Sequence, residues 1–213
     1  VRIPRIFFDD SLTVGVNFEL SRDQAHYLGR VLRLTSGRPI LVFNGRGGEF
    51  ACEILELDGK RGLIRVIEHL EKDTESPLSV CLAIGLSKGD RFDWLLQKAT
   101  ELGVSSIQPL FTERTEVRLS AERLGKKHAH WQSVIQSACE QSGRTKVPAV
   151  FQPTDLSSHC EITSSSAKLI LDPSASLSIA KFDFQEPESS ADLLVGPEGG
   201  LSSGEIDVAN ANG

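Results

Sequence analysis

The amino-acid sequence predicts an α/β fold in two parts: a small β-rich N-terminal unit, then a larger region built on a mostly parallel sheet. Short apolar runs separated by turn residues fill the first 70 residues, a pattern typical of a small barrel. Residues 71–77 are polar and end in proline, which predicts a domain boundary. From residue 79 onward, apolar strands alternate with helical periodicity, which indicates a parallel sheet covered by helices. We therefore place the two domains at 1–72 and 73–213.

The N-terminal unit is predicted from the capping and turn signals between its strands. Ser21 followed three residues later by Gln24 is a capping-box pattern, which predicts the start of a short helix. Asn44-Gly45, in the glycine-rich segment 44–48, predicts a hairpin between two apolar runs. The predicted strands are 2–8, 39–43, 49–57 and 63–70.

The C-terminal region is predicted to hold two amphipathic helices and four strands. One helix covers 90–102, with Asp90 as its N-cap and Gly103 at its end. A longer helix covers 120–142, and the serine-rich segment 157–166 predicts an exposed loop. The predicted strands are 79–86, 104–111, 168–171 and 192–195.

Composition excludes several classes of protein. No apolar run approaches the roughly 18 residues of a membrane span, and no secretory leader opens the chain, so we expect a cytoplasmic protein without a membrane partner. The four cysteines lack the spacing of a zinc site, which predicts reduced thiols and no metal. The net charge of −6 is unevenly distributed. Residues 1–150 carry 21 Lys or Arg against 19 Asp or Glu, and residues 151–213 carry 2 against 10, so a basic surface is confined to the first two-thirds.

The segment 191–202, ADLLVGPEGGLS, predicts a buried strand that ends in a ligand-binding loop. Its glycines allow a ligand to approach the backbone, and Ser202 with Glu205 forms a second capping-box pattern. The loop lacks the spacing of a phosphate-binding motif, so a small, weakly charged or cationic ligand fits better than a nucleoside triphosphate. A plain strand-to-helix turn is the alternative.

Three polar clusters admit both a binding interpretation and an ordinary one. Arginines of the N-terminal unit could grip phosphates, although their spacing alone favours ordinary surface positions. Basic residues at 114–127 could contact phosphates, although interleaved glutamates favour a salt-bridged helix face. Residues 138–144 could line a pocket, or Arg144 could cap its helix. The two basic clusters are Arg2, Arg5, Arg30, Arg33, Arg38 and Arg46, and Arg114, Arg118, Arg123, Lys126 and Lys127.

Six motifs in order resemble those of one family. They are GRVLR at 29–33, SKGDR at 87–91, QKATELG at 97–103, PLFTER at 109–114, ACEQSGR at 138–144 and VGPEGGLS at 195–202. Together they resemble the bacterial small-subunit (16S) ribosomal RNA uridine-N3 methyltransferases, which are S-adenosylmethionine enzymes of the SPOUT class. The resemblance spans nearly the whole chain.

The resemblance implies a PUA-like RNA-binding β-barrel followed by a SPOUT α/β domain with a trefoil knot. It implies a homodimer with the active site near the subunit interface, acting on 16S rRNA of the small ribosomal subunit. Relatives continue with a strand and a segment of pattern LGxRxLRxET, which threads the knot and completes the cofactor pocket. We therefore expect the knot-completing tail, and part of the cofactor site, to be absent from this chain.

The resemblance also implies which residues bind. S-adenosylmethionine is expected against Leu171, Asp172 and Pro173, and against Gly196, Pro197, Glu198, Gly199 and Gly200. RNA is expected to contact Arg2, Arg5, Arg30, Arg33, Lys88, Arg114, Arg118, Arg123 and Lys126.

The implied chemistry is methyl transfer to N3 of a uridine, which must be unpaired or flipped because N3 takes part in base pairing. A cation would stabilise the uracil anion, and we predict Arg144 for that role. Glu198 is predicted as a base or as a group that orients the cofactor. Two alternatives stay open: a non-catalytic RNA-binding protein with a PUA-like barrel, and an unrelated α/β enzyme acting on a small metabolite.

Overall fold

The computed structural model describes residues 3–117, 120–182 and 190–213 and divides the chain into two compact units. Unit 1 comprises residues 1–75 together with 139–147, and unit 2 comprises 76–138 with 148–213. The chain is therefore not divided by a single cut at 72/73.

Arg5 explains why 139–147 joins unit 1. Its guanidinium donates hydrogen bonds to the main-chain oxygens of Cys139 (2.8 Å), Glu140 (3.2 Å) and Arg144 (3.0 Å). The carboxylate of Glu140 in turn accepts a 2.9 Å hydrogen bond from the backbone N–H of Phe7. Strand 5–7 and segment 139–147 thus satisfy each other's polar groups.

Unit 1 is built on a five-stranded sheet in the order β1-β3-β4-β5-β2. Its strands are β1 Arg5–Phe7, β2 Asn17–Glu19, β3 Pro39–Phe43, β4 Glu49–Leu57 and β5 Gly62–Leu70. The β3–β4 hairpin is confirmed, with Gly45 in the left-handed region at φ 79°. Alternate residues of β3, β4 and β5 point into a core that includes the fully buried Val42, Ile54 and Ile64. The short β2 was not predicted.

The capping box at the start of α1 (Arg22–His26) is confirmed. The Ser21 hydroxyl accepts from the Gln24 backbone N–H at 3.2 Å, and the Gln24 side chain accepts from the Ser21 N–H at 2.9 Å. Gln24 also donates to the Phe7 carbonyl at 2.7 Å, which fixes the helix against β1. A π-helical turn, Tyr27–Val31, follows directly.

Unit 2 contains a parallel sheet in the order β10-β11-β6-β7-β8, with β9 also pairing with β7. The strands are β6 Ser79–Gly85, β7 Ser106–Phe111, β8 Ala149–Val150, β9 Thr154–Asp155, β10 Ala167–Ile170 and β11 Ser190–Val195. Every one of these pairings is parallel, which confirms the predicted sheet.

The helices of unit 2 include one that was predicted as a loop. They are α2 Asp90–Glu101, α3 Ala121–Ser142 (whose last four residues belong to unit 1), α4 Leu156–Ile162 and α5 Ser203–Ala211. Asp90 was wrongly predicted as an N-cap, because Gly89 at φ 63° holds that position and Asp90 lies inside the helix. The prediction of an exposed loop over 157–166 was wrong for residues 157–162, which belong to α4 and include the buried His159 and Cys160. Residues 163–166 do lie outside any helix or strand.

The described part of the chain contains no helix that is both long and apolar enough to span a membrane.

Candidate active site

The candidate site lies where two neighbouring parallel strands end. Leu169 of β10 pairs in register with Leu193 of β11, so the segments after both strands emerge at one edge of the sheet. The backbone N–H of Leu171 still donates to the Leu194 carbonyl at 3.0 Å, which holds the two segments together at that edge. Crevices at the carboxyl ends of parallel strands are where α/β proteins bind ligands.

A cavity of about 530 Å³ opens between these two segments. We call it the loop cavity. Residues 170–174 line one side, 195–200 line another, and Leu201, Ile206 and Arg114 complete it. The structure thus places on one cavity both segments that the family resemblance implies for the cofactor. Its volume lies in the range that holds a small molecule, roughly 300–1,000 Å³.

Different steric reasons require glycine at different positions in and beside the loop. A Cβ on Gly196 would lie 2.6 Å from the carbonyl carbon of Gly200 and 2.8 Å from the nitrogen of Leu201, so the turn closes only over glycine. Gly200 adopts φ 72°, and its N–H donates to the Pro197 carbonyl at 2.8 Å. Gly85 at the end of β6 allows the same close approach, because a Cβ there would lie 2.5 Å from Pro197. The loop therefore packs by backbone contact onto the sheet.

The helix that follows the loop is anchored by its cap. The predicted capping box is confirmed: Glu205 accepts from the Ser202 N–H at 2.8 Å, and Ser202 accepts from the Glu205 N–H at 3.1 Å. The second oxygen of the Glu205 carboxylate accepts a 2.8 Å hydrogen bond from the Glu113 backbone N–H. This buried carboxylate therefore ties the turn after β7 to the start of α5.

Arg114, on that same turn, reaches the loop directly. Its guanidinium donates to the Gly199 carbonyl at 2.5 Å, and its aliphatic stem lies 3.4 Å from where a Cβ on Gly199 would be. Arg114 was predicted as an RNA contact, and the structure places it on the wall of the loop cavity.

Glu198 is held by a cation that the sequence did not single out for this role. The Arg91 guanidinium donates to its carboxylate at 3.1 Å. The backbone N–H of Glu198 itself and this Arg91 contact hold the pKa of the Glu198 carboxyl below its usual range. A carboxylate with a lowered pKa is a weak base. Asp172 is similar, because hydrogen bonds from the Ser174 N–H and hydroxyl lower its pKa. The role of Glu198, as a base or as a group that orients the cofactor, stays a prediction.

A second cavity, of about 470 Å³, adjoins the first. We call it the basic cavity. Leu86, Lys88 and Arg91 line it together with residues 113–116, and it shares Arg114, Glu198 and Gly199 with the loop cavity. The ammonium group of Lys88 forms an ion pair with Glu116. Three cations and three glutamates therefore surround a space that borders the loop cavity.

Arg144, the predicted catalytic cation, belongs to unit 1, whereas the loop cavity belongs to unit 2. Its guanidinium forms an ion pair with Glu75, and both side chains are largely buried. In this arrangement Arg144 neutralises a buried carboxylate, and its catalytic role stays a prediction.

Arg5 was predicted to contact RNA, and the structure contradicts a direct contact. Its side chain is 8% exposed, and its guanidinium is occupied by Glu49 at 3.0 Å and by three main-chain oxygens. The sequence pattern could not separate this interior arginine from surface ones.

Among the described residues, the other predicted RNA contacts lie at the surface. Arg30 and Arg33 are exposed at and just after the π-helical turn, and Arg123 and Lys126 are exposed on α3, where Lys126 pairs with Glu122 at 2.8 Å. Their binding role stays a prediction. Arg2 and Arg118 lie outside the described residues.

A buried polar cluster in unit 2 was missed entirely. His159 on α4 contacts the Asp192 carboxylate at 2.7 Å, and Thr163 donates to the same oxygen at 2.7 Å. Burial alone would raise the pKa of Asp192, but these hydrogen bonds outweigh it and the pKa lies below its usual range. The partners are about thirty residues apart in sequence, so no local pattern could have signalled the cluster.

The described cysteines are free thiols, as predicted. Burial raises the pKa of Cys52 to about 12 and that of Cys139 to about 12. Within the described ranges, no group of three His, Cys, Asp or Glu side chains is arranged to hold a metal ion.

Comparison with known proteins identifies two families of domain in this chain. A family model described as the RNA methyltransferase domain matches residues 74–213, and one described as the RNA methyltransferase PUA domain matches residues 20–67. The fold and the matched families together define the chain as an RNA methyltransferase with a PUA domain.

Individual relatives identify the family of RNA methyltransferases to which the chain belongs. The ribosomal RNA small subunit methyltransferase E of Buchnera aphidicola from Schizaphis graminum is 33% identical over 97% of this chain and 83% of its own length. A Legionella pneumophila methyltransferase solved with bound S-adenosylmethionine (SAM) has a TM-score of 0.95 at 37% identity, covering 100% of this chain and 87% of that one. A Neisseria gonorrhoeae methyltransferase E bound to SAM has a TM-score of 0.93 at 34% identity, covering 99% and 86%. The chain belongs to the ribosomal RNA small subunit methyltransferase E family.

Proposed function

We propose that this protein transfers the methyl group of SAM to N3 of a uridine in the 16S rRNA of the small ribosomal subunit. The observation that carries the proposal is the loop cavity, which gathers residues 171–173 and 196–200 at the ends of two adjacent parallel strands. Relatives of the same family supply the class of reaction, and two structural neighbours at 34–37% identity were solved with this cofactor.

The residues of the loop cavity fit SAM chemically. Leu171, Leu201 and Ile206 offer an apolar surface for an adenosine, and the backbone of the glycine loop is accessible because its residues carry little side chain. Two carboxylates, Asp172 and Glu198, line the cavity, and hydrogen bonds that lower their pKa values favour the ionised form further. An anionic wall suits a ligand that carries a positive sulfonium. When bound, SAM supplies an activated methyl group.

The protein's own contribution is orientation. Methyl transfer needs the acceptor atom and the methyl group in line at near-attack distance. A rigid cofactor-binding loop therefore contributes directly to the rate of methyl transfer. The Gly196–Gly200 contact, the Glu205 cap and the Arg114 bond to Gly199 each restrict the loop. Glu198 orients charge at the cavity wall. We keep Arg144 as the candidate cation for the uracil anion.

Several features of the resemblance belong to this proposal and need their own measurements. They are closure of the N-terminal sheet into a PUA-like barrel, the trefoil knot of a SPOUT domain, and the homodimer. A cytoplasmic location follows from a ribosomal substrate. Light scattering coupled to size-exclusion chromatography tests the dimer directly: a monomer at micromolar concentration contradicts it.

The deciding experiment combines binding with product analysis. The full-length protein is titrated with S-adenosylhomocysteine in a calorimeter, then incubated with SAM and small-subunit rRNA, and the RNA is digested to nucleosides for mass spectrometry. We expect saturable binding and a 3-methyluridine product. A non-catalytic RNA-binding protein gives RNA affinity without either result. An enzyme that acts on a small metabolite does not bind RNA with an affinity that falls steeply as salt is added.

The RNA platform is tested on Arg30 and Arg33. Replacing both with Gln should weaken RNA binding and reduce the salt dependence by a slope of about 2, since each phosphate contact contributes about 1. The matched control is Arg22→Gln in the same unit, which is exposed and belongs to neither basic cluster. If the double variant binds RNA with unchanged affinity, the surface that carries Arg30 and Arg33 is not the RNA-binding surface.

A further inference from the structure

We propose that the basic cavity receives the target nucleotide, with an unpaired pyrimidine base against the shared wall and its phosphate on Lys88 and Arg91. This inference rests on the proposed function, since it assigns the acceptor side of the same reaction. It adds to that function a site, defined by the strand end at Leu86, the segment 88–91 and the turn 113–116.

The first argument is adjacency. An in-line transfer requires the acceptor and the methyl group to come within near-attack distance, so the acceptor site must adjoin the cofactor site. The basic cavity meets this condition, because Arg114, Glu198 and Gly199 line both cavities. Both lie within unit 2, so the arrangement is a property of one compact unit.

The second argument is size. The volume of about 470 Å³ lies within the usual range for small-molecule sites, roughly 300–1,000 Å³, and suits a single nucleotide better than a duplex. A base that reacts at N3 has to leave its pair before reaction, so a seat for one extruded nucleotide is what the chemistry requires.

The third argument is charge. Lys88 pairs with Glu116 and Arg91 with Glu198, and the four side chains are 65%, 72%, 75% and 45% exposed, respectively. Ion pairs so exposed to water are weak, and a phosphate can replace a carboxylate as partner of a lysine or arginine. The glutamates thus keep the two cations in place at the cavity without blocking exchange for an RNA phosphate.

Replacement of Glu198 by a phosphate as the partner of Arg91 would change the wall that the two cavities share. The Arg91 guanidinium that now holds Glu198 would turn to the phosphate, which leaves the Glu198 carboxylate free to face the cationic centre of the methyl donor. Binding of the acceptor would therefore adjust the wall between the two ligands.

The test separates the two cavities by their binding signatures. Lys88→Gln and Arg91→Gln alter the basic cavity. The matched control Lys98→Gln removes a lysine that also pairs with a glutamate, Glu101, but lies outside both cavities. We expect each cavity variant to bind RNA about tenfold more weakly, with a salt slope reduced by about 1. Lys88→Gln should keep the wild-type affinity for S-adenosylhomocysteine, and Lys98→Gln should match the wild type in both assays.

A second measurement locates the base itself. RNA carrying 4-thiouridine at the position methylated by the wild type is photocrosslinked to the protein, and the linked peptide is identified by mass spectrometry. Crosslinks within 86–91 or 113–116 support the inference. It is overturned if crosslinks map elsewhere, or if Lys88→Gln and Arg91→Gln both bind RNA as Lys98→Gln does. Failure of the proposed function looks different: the wild type then binds no S-adenosylhomocysteine and yields no methylated nucleoside.

Discussion

Replacing Gly196 with alanine tests whether the loop cavity depends on a backbone contact. The added Cβ would lie 2.6 Å from the Gly200 carbonyl carbon, about 0.8 Å inside the 3.4 Å at which ordinary contact begins. Because the neighbours at Gly200 and Leu201 are backbone atoms, no rotamer change can relieve the contact, and the loop itself must move. Overpacking of this kind costs about 1–3 kcal/mol.

That displacement has two measurable results. At about 2–4 °C per kcal/mol for a chain of this size, the melting temperature should fall by roughly 2–12 °C in scanning fluorimetry. A misplacement of nearly 1 Å at a reaction centre can cost about 100-fold in rate, so turnover should fall by up to that factor. The affinity for S-adenosylhomocysteine, measured by calorimetry, should fall about tenfold, which corresponds to about 1.4 kcal/mol.

The matched control is Gly125→Ala in α3. A Cβ at Gly125 meets no atom within 4 Å, and alanine is the better helix former by up to about 1 kcal/mol. We expect this variant to be as stable as the wild type or more so, with unchanged affinity. If Gly196→Ala kept the wild-type affinity for S-adenosylhomocysteine within twofold, the loop would not be the cofactor seat.

The remaining predictions concern stability and thiol chemistry. Asp192→Ala should lower the free energy of unfolding in urea by about 3–5 kcal/mol, because its histidine partner is left buried without its acceptor. Since the folded carboxyl has a lowered pKa, its contribution is lost as the pH falls below about 4, so the difference from the wild type should shrink there; a constant difference contradicts the pairing. Cys52 and Cys139, with pKa values of about 12, should resist a thiol reagent at pH 8 until the protein unfolds; labelling of the native protein at either residue contradicts their burial. Arg5→Ala should destabilise unit 1 by about 3–5 kcal/mol in urea, since buried Glu49 loses a partner, yet leave the RNA affinity of the folded protein unchanged.

Elements with strong local signals were predictable from the sequence. Strands β3 and β4 match their predicted bounds to the residue, and the glycine-rich turn between them fixes the end of β3 and the start of β4. Both capping boxes, at Ser21 and Ser202, also follow from residues three positions apart. Helix α4 was missed because the serine-rich composition of this segment is typical of a loop, although Leu156, His159 and Cys160 are buried.

The candidate site was predictable only in part. The sequence identified the loop at 196–200 from its own glycines, but residues 171–173 entered through a family resemblance. Contacts between distant residues carry no local signal: Arg91 and Glu198 are 107 positions apart, and Arg144 and Glu75 are 69 apart. The sequence therefore indicates which residues are chemically capable, whereas the packing of the sheet determines which of them meet.

The return of residues 139–147 to unit 1 has a practical consequence for anyone dissecting the protein. A gene fragment that stops at residue 75 encodes a polypeptide in which Arg5 lacks its three carbonyl acceptors. A fragment that starts at residue 76 contains the nine residues 139–147 without the rest of unit 1. Neither half is a contiguous, transplantable module. Swapping unit 1 between homologues would thus require exchanging two stretches of chain at once.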